Sequence, residues 1–349
     1  MTMEIISGLY HDQRDRARRL VEFLALTPLQ KEHWIELSKL MEAKANIGYA
    51  DTWTYLTQAA NGYSLGLHPT GYVASRKQAR CVVGLFRRPV TGEMAVHLIN
   101  PLGERRLELI CEICEKVTNS EQILVYIKKA DSDLLSILKN IPGFNWSEHF
   151  AWHALAPKED DTRPELMLDV SRSLELFERG RLNQARDKYA RFSKKHRHFE
   201  IVWLPLSTKR FNDARQIIQR FFSYKKERGH VEISEPFDYE NMLVAPSPTS
   251  RARGLVREVC YIEGNPCALL IMESIGTSNA LGLYCNLALY QEYKYLSEFV
   301  IHRALTVSFE NGFRYMNLGG SESEGLHVFK EKFTPVDRLE RKWIVFSPT

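Results

Sequence analysis

The sequence predicts an α/β (α+β) protein made of two lobes, each with a mixed central sheet. The chain has 349 residues, which is long enough for two separate hydrophobic cores. Strand-like and helix-like segments alternate in both halves in the same coarse order, which is typical of α/β layers. A polar segment with two prolines, residues 156–164, lies between the halves and has no hydrophobic periodicity. These observations favour two copies of one fold side by side.

The predicted domain boundaries follow from that proline-containing segment. Residues 1–155 form the N-terminal lobe, residues 156–170 the linker, and residues 171–349 the C-terminal lobe. In the first lobe, hydrophobic periodicity predicts helices over residues 29–45, 107–117 and 131–141, and strands over residues 71–86, 94–99 and 122–127.

The second lobe begins with one long amphipathic helix, whose apolar face runs from Leu174 to Phe192. Two strands around Glu263-Gly264-Asn265 predict a hairpin. Ser321 and Glu324 form an S-x-x-E pattern, which predicts a capped short helix after Gly319-Gly320. The other predicted elements are strands over residues 199–206, 280–290, 313–318 and 343–346, and helices over residues 211–228 and 296–307, the latter ended by Gly312.

Composition places the chain among globular proteins, with 44% hydrophobic and 26% charged residues. Apolar runs stay below the roughly 18 residues needed to cross a bilayer, and residues 1–10 lack the features of a signal peptide. We therefore expect a cytoplasmic protein with no integral membrane region. Cys111 and Cys114 form the one C-x-x-C pair and lie in an apolar helical stripe, so we expect reduced thiols and no metal site.

Positive charge is concentrated in one block of the sequence. Residues 172–229 contain ten Arg and six Lys against six acidic residues, a local net charge of +10. Such a block is typical of a surface that binds nucleic acid, and it is equally typical of a pair of solvated charged helices.

The most specific signal is residues 312–333, Gly-Phe-Arg-Tyr-Met-Asn-Leu-Gly-Gly-Ser-Glu-Ser-Glu-Gly-Leu-His-Val-Phe-Lys-Glu-Lys-Phe. This stretch resembles the last motif of the phosphatidylglycerol lysyltransferase C-terminal domain, and the Fem-type peptidoglycan bridge transferases carry a looser version. The resemblance is strong over residues 281–333 and weak over residues 172–272. It implies tandem GNAT-like acyltransferase lobes that move an amino acid from aminoacyl-tRNA to an amine or hydroxyl.

The sequence departs from the lysyltransferases in one respect. Those enzymes usually carry a long multi-spanning membrane region, and no such region is present here. The chain looks more like the soluble seryl-tRNA-dependent transferase of valanimycin biosynthesis. The resemblance therefore implies a small soluble acceptor such as an amine, with aminoacyl-tRNA as co-substrate and no further cofactor.

The identity of the acyl donor can also be examined in the sequence. Acetyl-CoA enzymes of this fold hold the pyrophosphate in a glycine-rich turn before a helix, where backbone N–H groups reach the phosphates. Residues 290–296 occupy that place here and contain three tyrosines, one glutamate and no glycine. Such a loop favours aminoacyl-tRNA over acetyl-CoA.

Two other functions remain open at this point. One is an N-acyltransferase that uses an acyl-CoA or acyl-carrier-protein thioester. The other is a non-catalytic double-GNAT protein that binds RNA or a protein partner.

Three residues are candidates for catalysis. Lys330, with Phe329, matches the Phe-Lys pair that the Fem-type motif uses near the tRNA acceptor end. We expect Lys330 to be partly buried and to neutralise a phosphate or the oxyanion; the alternative is a solvated helix position. Glu273 can bind the donor's cationic amino group or act as base, unless it is a surface carboxylate at a strand end. Asn317 flanks the Gly319-Gly320 turn.

The remaining candidates bind substrate. Tyr284 and Asn286 lie two apart on a central strand, so we expect them on one face, beside Glu273. Ser321 and Glu322 follow the Gly-Gly turn, although capping alone can explain Ser321, and a core position can explain Phe329. The predicted tRNA-binding residues, for which a plain surface role is the alternative, are Lys194, Lys195, Lys209, Arg210, Lys225 and Lys226.

Overall fold

The computed structural model divides the chain into two compact units. The first unit contains Met1–Thr162 and Glu340–Thr349, and the second contains Arg163–Leu339. The structure describes residues 3–42, 48, 51–61, 71–87, 93–121, 123–141, 145–147, 163–179, 183–228, 239–240, 242–243, 254–276, 278–321 and 323–347.

The first unit is built on a seven-stranded mixed sheet of order β1-β2-β3-β4-β5-β14-β6. Strands β4 and β5 are parallel, and the other neighbouring strands are antiparallel. The elements of this unit are α1 (Met3–Phe23), β1 (Thr27–Pro28), α2 (His33–Glu42), α3 (Trp53–Asn61), β2 (Gly71–Arg76), β3 (Ala79–Arg87), β4 (Met94–Leu102), α4 (Arg106–Glu121), β5 (Leu124–Ala130), α5 (Ser132–Leu138), β6 (Asn145–Ser147) and β14 (Lys342–Ser347).

The second unit repeats this architecture. Its sheet has the order β8-β9-β10-β11-β12-β7-β13, with β11 and β12 parallel. Its elements are β7 (Glu165–Asp169), α6 (Val170–Arg179), α7 (Asn183–Lys195), β8 (Ile201–Pro205), α8 (Phe211–Glu227), β9 (Leu255–Ile262), β10 (Asn265–Ser274), β11 (Ala280–Ala288), α9 (Leu296–Glu310), β12 (Tyr315–Asn317), α10 (Glu324–Glu331) and β13 (Asp337–Leu339).

The two sheets share one topology. In each, antiparallel strands lead to one parallel pair, and the strand after that pair is inserted from a distant part of the chain. In the first unit this inserted strand is β14, from the end of the chain. In the second unit it is β7, which precedes all the other strands of its sheet. The predicted class, α/β lobes with mixed sheets, is confirmed.

Helices cover both faces of the second sheet. Arg303 of α9 donates two hydrogen bonds to Glu258 of β9, at 2.8 and 2.9 Å, which places α9 over the face that carries Leu270. Tyr261 of β9 donates to Asp213 of α8 at 2.7 Å, which places α8 on the opposite face. The core beneath α9 also receives apolar side chains from α6 and α7.

Strand pairing differs from the predicted boundaries in two places. Glu165–Asp169, predicted as linker, forms strand β7, because Leu166 and Leu168 alternate into the core of the second unit. The strand predicted over residues 343–346 exists, but it pairs with β5 and β6 of the first unit. Residues 156–162 of the predicted linker lie outside the described residues.

Three local predictions are also corrected. The strand predicted over residues 71–86 is two strands, β2 and β3, because the polar residues Arg76 to Gln78 turn the chain. The long helix of the second lobe is two helices, α6 and α7, with Gly180 between them. The short helix is α10, and its N-cap is Ser323 rather than Ser321.

Two finer features of the second sheet were predicted correctly. Glu263 and Gly264 both have positive φ, which is the turn that a two-residue hairpin favours. Gly312, with φ of 76°, follows the end of α9. Over the described part of the chain, no helix combines the length and apolar character needed to cross a bilayer.

The position of β14 generates a prediction. Ile344 of β14 is 1% exposed and packs in the core of the first unit. Ile344→Ala should lower the free energy of unfolding by about 2–5 kcal/mol, because it leaves a cavity in that core. In hydrogen exchange, amides of β2 to β5 should lose protection, and amides of β9 to β11 should keep it.

The matched control is Val336→Ala, in the second unit. Val336 is exposed, so its truncation should change stability by less than about 0.5 kcal/mol. Unchanged protection of β2 to β5 in the Ile344 variant would show that β14 does not stabilise the first unit.

Candidate active site

Three polar or small residues lie side by side on adjacent strands of the second sheet. Gly282 of β11 pairs with Glu273 of the antiparallel strand β10 and with Asn317 of the parallel strand β12. Residues paired in this way point to the same face of a sheet. Because Met316 and Leu281 fill the core beneath α9, this row lies on the opposite face.

A buried carboxylate extends the row at one end. Asn317 also pairs with Met167 of β7, and Glu165, two residues before Met167, points to the same face. The Asn317 side chain donates a hydrogen bond from Nδ2 to Glu165 Oε2 at 2.9 Å. Both residues are fully buried. Asn317 is thereby fixed in one orientation.

A partly buried cation extends the row at the other end. Arg257 of β9 pairs with Ile271, two residues from Glu273, and so shares its face. Burial lowers the pKa of Arg257, and the charge of Glu273 partly opposes that effect. Glu273 is fully buried, so the alternative interpretation as a surface carboxylate is wrong. The row therefore runs from guanidinium through carboxylate, glycine and amide to a second carboxylate.

The glycine leaves space in the middle of this row. A Cβ atom at Gly282 would lie 3.5 Å from its nearest neighbour, Ile275 Cγ1, which is ordinary van der Waals contact. An alanine would therefore fit at position 282 without displacing other atoms. The row therefore carries no side chain between Glu273 and Asn317, and Ile275 packs next to this position.

The turn after β12 is held by side chains from two elements. Gly319, with φ of 69°, donates its N–H to Asn317 Oδ1 at 2.7 Å. Lys330 of α10 donates from Nζ to the carbonyl oxygens of Gly319 and Gly320. These bonds satisfy the Gly319 N–H and the Gly320 carbonyl, and they give a second donor to the Gly319 carbonyl, which also accepts from the Leu166 N–H of β7.

Lys330 is more buried than expected. The sequence predicted a partly buried residue, with a solvated helix position as the alternative, but Lys330 is only 8% exposed. Its ammonium group binds the carbonyl groups of the Gly319-Gly320 turn, so its removal has a larger structural effect than a surface position implies. Phe329 packs against Phe333 at a ring distance of 5.3 Å and adjoins the core, as its alternative interpretation states.

Ser321 directly follows this turn and does not cap α10. Ser323 does so, by accepting a hydrogen bond from the backbone N–H of Leu326. Ser321 is fully buried, and its hydroxyl has no hydrogen-bond partner among the described residues. A buried hydroxyl without a partner is energetically costly, which makes it a candidate ligand contact. Glu322 lies outside the described residues.

Two of the predicted substrate-binding residues, Tyr284 and Asn286, are not part of the row of Glu273, Gly282 and Asn317. Strand β11 bulges at Tyr284, because Ile271 pairs with Cys285 whereas Met272 pairs with Leu283. The bulge shifts the alternation, so Asn286 pairs with Leu270 and points to the face opposite Glu273. The expectation that Tyr284, Asn286 and Glu273 share one face is therefore wrong for Asn286.

Four of the six predicted tRNA-binding residues lie at one end of the sheet. Lys194 and Lys195 end α7, and Lys225 and Lys226 end α8. The residues beside these helix ends contact the loop after β11: the rings of His196 and Tyr293 lie 5.9 Å apart, and those of Phe221 and Tyr290 lie 6.4 Å apart.

The other two predicted tRNA-binding residues are placed elsewhere. Lys209 and Arg210 follow the carboxyl end of β8, whereas α7 leads into its amino end. Arg210 donates to Pro205 O at 2.9 Å and to Ser207 Oγ at 3.2 Å, so its guanidinium group is partly used within its own turn.

The loop after β11, which leads into α9, is unsuited to a pyrophosphate. Tyr295 is the N-cap of α9 and adopts a left-handed conformation, with φ of 74°. Glu298 lies in the first turn of α9, is 3% exposed, and forms an ion pair with Lys188 at 3.3 Å. The Glu298 carboxylate interacts with the positive end of the α9 dipole, where a pyrophosphate would otherwise bind.

The sequence interpretation missed Glu165, Arg257 and Gly282. Glu165 begins the alternating run Glu-Leu-Met-Leu-Asp, a strand signal that the neighbouring prolines obscured. Arg257 and Gly282 lie in predicted strands, and only the register shows that they face Glu273.

Within the described residues, no group of three or more His, Cys, Asp and Glu side chains is placed to hold a metal ion.

Comparison with known proteins identifies the fold. No protein-family model and no curated protein matches the sequence. A conserved protein of unknown function from Bacteroides thetaiotaomicron has a similar structure, with a TM-score of 0.66, 14% identity, and coverage of 92% of this chain and 99% of that one. FemX superposes with a TM-score of 0.60, at 10% identity over 92% and 97% of the two chains.

A third structure has the same architecture. It is a C-terminal domain from Agrobacterium fabrum assigned to lysylphosphatidylglycerol synthetase, with a TM-score of 0.56, 13% identity, and coverage of 91% and 92%. This chain has the fold of these proteins. The resemblance drawn from residues 312–333 is confirmed at the level of fold.

The position of Lys330 generates a prediction about stability. Lys330→Met keeps the length of the side chain but leaves the Gly320 carbonyl without its Lys330 donor and the buried Gly319 carbonyl with the Leu166 N–H alone. We expect a loss of about 1–3 kcal/mol in the free energy of unfolding, measured by urea denaturation. The control, Lys39→Met, changes an exposed lysine and should be within about 0.5 kcal/mol of the parent protein. Equal effects of the two variants would mean that Lys330 does not hold the turn.

Proposed function

We propose that the protein is an aminoacyltransferase that moves an amino acid from aminoacyl-tRNA to the amine or hydroxyl of a small soluble acceptor. The observation that carries this proposal is the row of Glu273, Gly282 and Asn317, which has no side chain at its centre, beside the turn that Lys330 holds. The fold shared with FemX and with the lysylphosphatidylglycerol synthetase domain supports it.

The proposed reaction needs positioning and one proton transfer, because the ester to the terminal ribose is already activated. The acceptor's lone pair forms a bond to the ester carbonyl carbon, and the bond from that carbon to the ribose oxygen then breaks. Glu273 takes the proton from the acceptor as the new bond forms. Glu273 then gives this proton to the ribose oxygen, which leaves as a hydroxyl. No covalent enzyme intermediate is required.

Other residues of the site have supporting roles in this proposal. Asn317 uses both ends of its amide, toward Glu165 and toward Gly319, so it positions the turn rather than contacting substrate. Lys330 positions the same turn through its two carbonyl groups. The buried hydroxyl of Ser321 donates to the ester carbonyl oxygen as negative charge develops there.

The loop before α9 favours this donor over a CoA thioester. A pyrophosphate at that loop would meet the Glu298 carboxylate and a turn without glycine. The four lysines at the ends of α7 and α8 are the proposed contacts to the tRNA backbone, and Lys209 and Arg210 are proposed as a second, separate contact.

The decisive experiment compares acyl donors. The protein is incubated with a candidate amine and either pools of charged tRNA or acetyl-CoA, and loss of the acyl group is measured. We expect protein-dependent deacylation of one charged tRNA and only weak acetyl-CoA binding in calorimetry. A low-micromolar dissociation constant for acetyl-CoA, with no deacylation of any charged tRNA, would contradict the proposal.

The glycine in the middle of the row, Gly282, generates a second prediction. Gly282→Ala should fold normally, with stability unchanged or raised by about 0.4–1 kcal/mol, because alanine fits and restricts the unfolded chain. Its methyl group would lie between Glu273 and Asn317, where the reacting groups are proposed to bind. Turnover should therefore fall by about 10²-fold, the cost of a displacement of roughly 1 Å.

Gly325→Ala is the matched control. Gly325 lies in α10 with nothing within 4 Å of its added Cβ, so this variant should keep full turnover. A Gly282 variant that turns over within threefold of the parent protein would place the substrates elsewhere.

A further inference from the structure

One aromatic side chain beyond the end of α7 is exposed although it belongs to an aromatic cluster. Phe199 lies in the turn between α7 and β8 and keeps 46% of its surface exposed. Its ring centre lies 5.1 Å from that of His196, and the two ring planes are tilted by 44°. The His196 ring in turn lies 4.6 Å from Phe192 and 5.9 Å from Tyr293. The cluster therefore supports one side of the Phe199 ring, and much of the rest faces solvent.

The turn that carries Phe199 is held by hydrogen bonds on both sides. The Phe199 N–H donates to the carbonyl oxygen of His196 at 3.0 Å. The Glu200 N–H donates to the Glu263 carboxylate at 2.7 Å, and the Glu263 N–H donates to the Glu200 carbonyl oxygen at 2.9 Å. The backbone that presents the exposed ring is therefore fixed before any ligand binds, which lowers the entropic cost of binding.

His196 contributes an uncharged ring with two polar atoms to this cluster. It is 3% exposed, and neither ring nitrogen has a hydrogen-bond partner among the described residues. Burial lowers the pKa of His196, and the charge of Lys195 adds to this effect, so the imidazole is neutral at pH 7. Buried nitrogens without partners carry an energetic cost, which a polar ligand next to the ring would reduce.

Positive charge surrounds the exposed ring. Lys194, Lys195 and Arg197 are close to Phe199 in sequence and are exposed, and none of them forms an ion pair within the described part of the chain. Three cations against one acidic residue, Glu200, give residues 194–200 a net charge of +2 with the histidines neutral. An exposed aromatic ring with basic neighbours suits a ligand that is both planar and negatively charged, and a nucleotide has both properties.

This turn is far from the row that contains Glu273. Strand β10 runs between Glu263, which is bonded to the Phe199 turn, and Glu273 near its carboxyl end. Because a strand rises about 3.3 Å per residue, the two glutamates lie roughly 30 Å apart. A ligand at Phe199 is therefore not the group that reacts beside Glu273.

We propose that the Phe199 ring stacks on the base of an unpaired nucleotide of the RNA donor, at a distance from its aminoacylated end. This inference rests on the proposed function and names a second part of the donor that the protein recognises. The base is unpaired, because only bases outside a helix are free to stack on aromatic side chains. Lys194 and Lys195 bind the phosphates beside that nucleotide.

The test measures the binding of uncharged tRNA by three variants at several salt concentrations. Phe199→Ala removes the ring, and Phe199→Tyr keeps an aromatic ring. Phe199→Leu keeps an apolar side chain against His196, so it separates lost stacking from a lost packing contact. The matched control is Phe309→Ala, because Phe309 is 57% exposed near the carboxyl end of α9.

Phe199→Ala and Phe199→Leu should weaken tRNA binding by about 10-fold or more, the loss of one stacked base. The plot of log affinity against log salt should keep its slope in both, because no phosphate contact is removed. Lys195→Ala should instead flatten that slope by about one unit. Phe199→Tyr and Phe309→Ala should bind like the parent protein.

A second arm compares a short single-stranded oligoadenylate with its abasic counterpart, which has the same phosphates and no bases. Phe199→Ala should lose affinity for the oligoadenylate only. Equal losses for both oligonucleotides would overturn the stacking, and so would parent-like binding by Phe199→Ala. Parent-like tRNA binding by Phe199→Leu would also overturn it, since it would assign the exposed ring to apolar contact with a protein partner.

The two arms measure binding and need no amino-acid transfer. A protein that binds RNA as predicted but transfers nothing would refute the proposed function alone. Transfer by Phe199→Ala with the parent's KM for charged tRNA would refute the stacking alone.

Discussion

Strand β12 has sheet partners on both sides for only three residues, and this constraint shapes the whole candidate site. Beyond Asn317 the chain stays buried but leaves its parallel neighbour β11, so its backbone groups need other partners. Leu166 of β7 pairs with Leu318 and Gly319, the Asn317 amide binds the Gly319 N–H, and Lys330 binds two carbonyl oxygens. Every predicted feature of residues 312–333 that the structure describes is arranged around this separation of two strands.

The inserted strand β7 connects that constraint to the chemistry. It supplies the backbone partners for residues 318–319 and also carries Glu165, whose carboxylate orients Asn317. On the other side of Gly282, the register places Glu273 on the same face, near Arg257. The candidate site therefore depends on five neighbouring strands, although the recognisable sequence motif covers only one of them.

Local signals in the sequence predicted most elements, although not helices α1 and α3, and long-range pairing explains why β7 and β14 were assigned wrongly. The hairpin at Glu263-Gly264 and the end of α9 before Gly312 depend on residues close in sequence, and both are confirmed. The pairing of β14 with β5, and of β7 with β12, joins segments more than a hundred residues apart, which no local pattern records. The bulge at Tyr284 shifts the face of Asn286 by one residue and is likewise visible only in the register. Lys330 and Ser321 were identified from the motif, but their burial and partners required the structure.

The central claim is that the turn after β12 and the row beside it receive the aminoacyl ester. The most direct measurement is hydrogen exchange of the protein with and without a non-hydrolysable aminoacyl-adenosine, in which an amide replaces the ester. The account predicts increased protection of the amides of residues 318–321, together with residues near Gly282, and unchanged exchange in β2 to β5 of the first unit. Protection confined to the first unit, with residues 318–321 unaffected at saturating analogue, would contradict it.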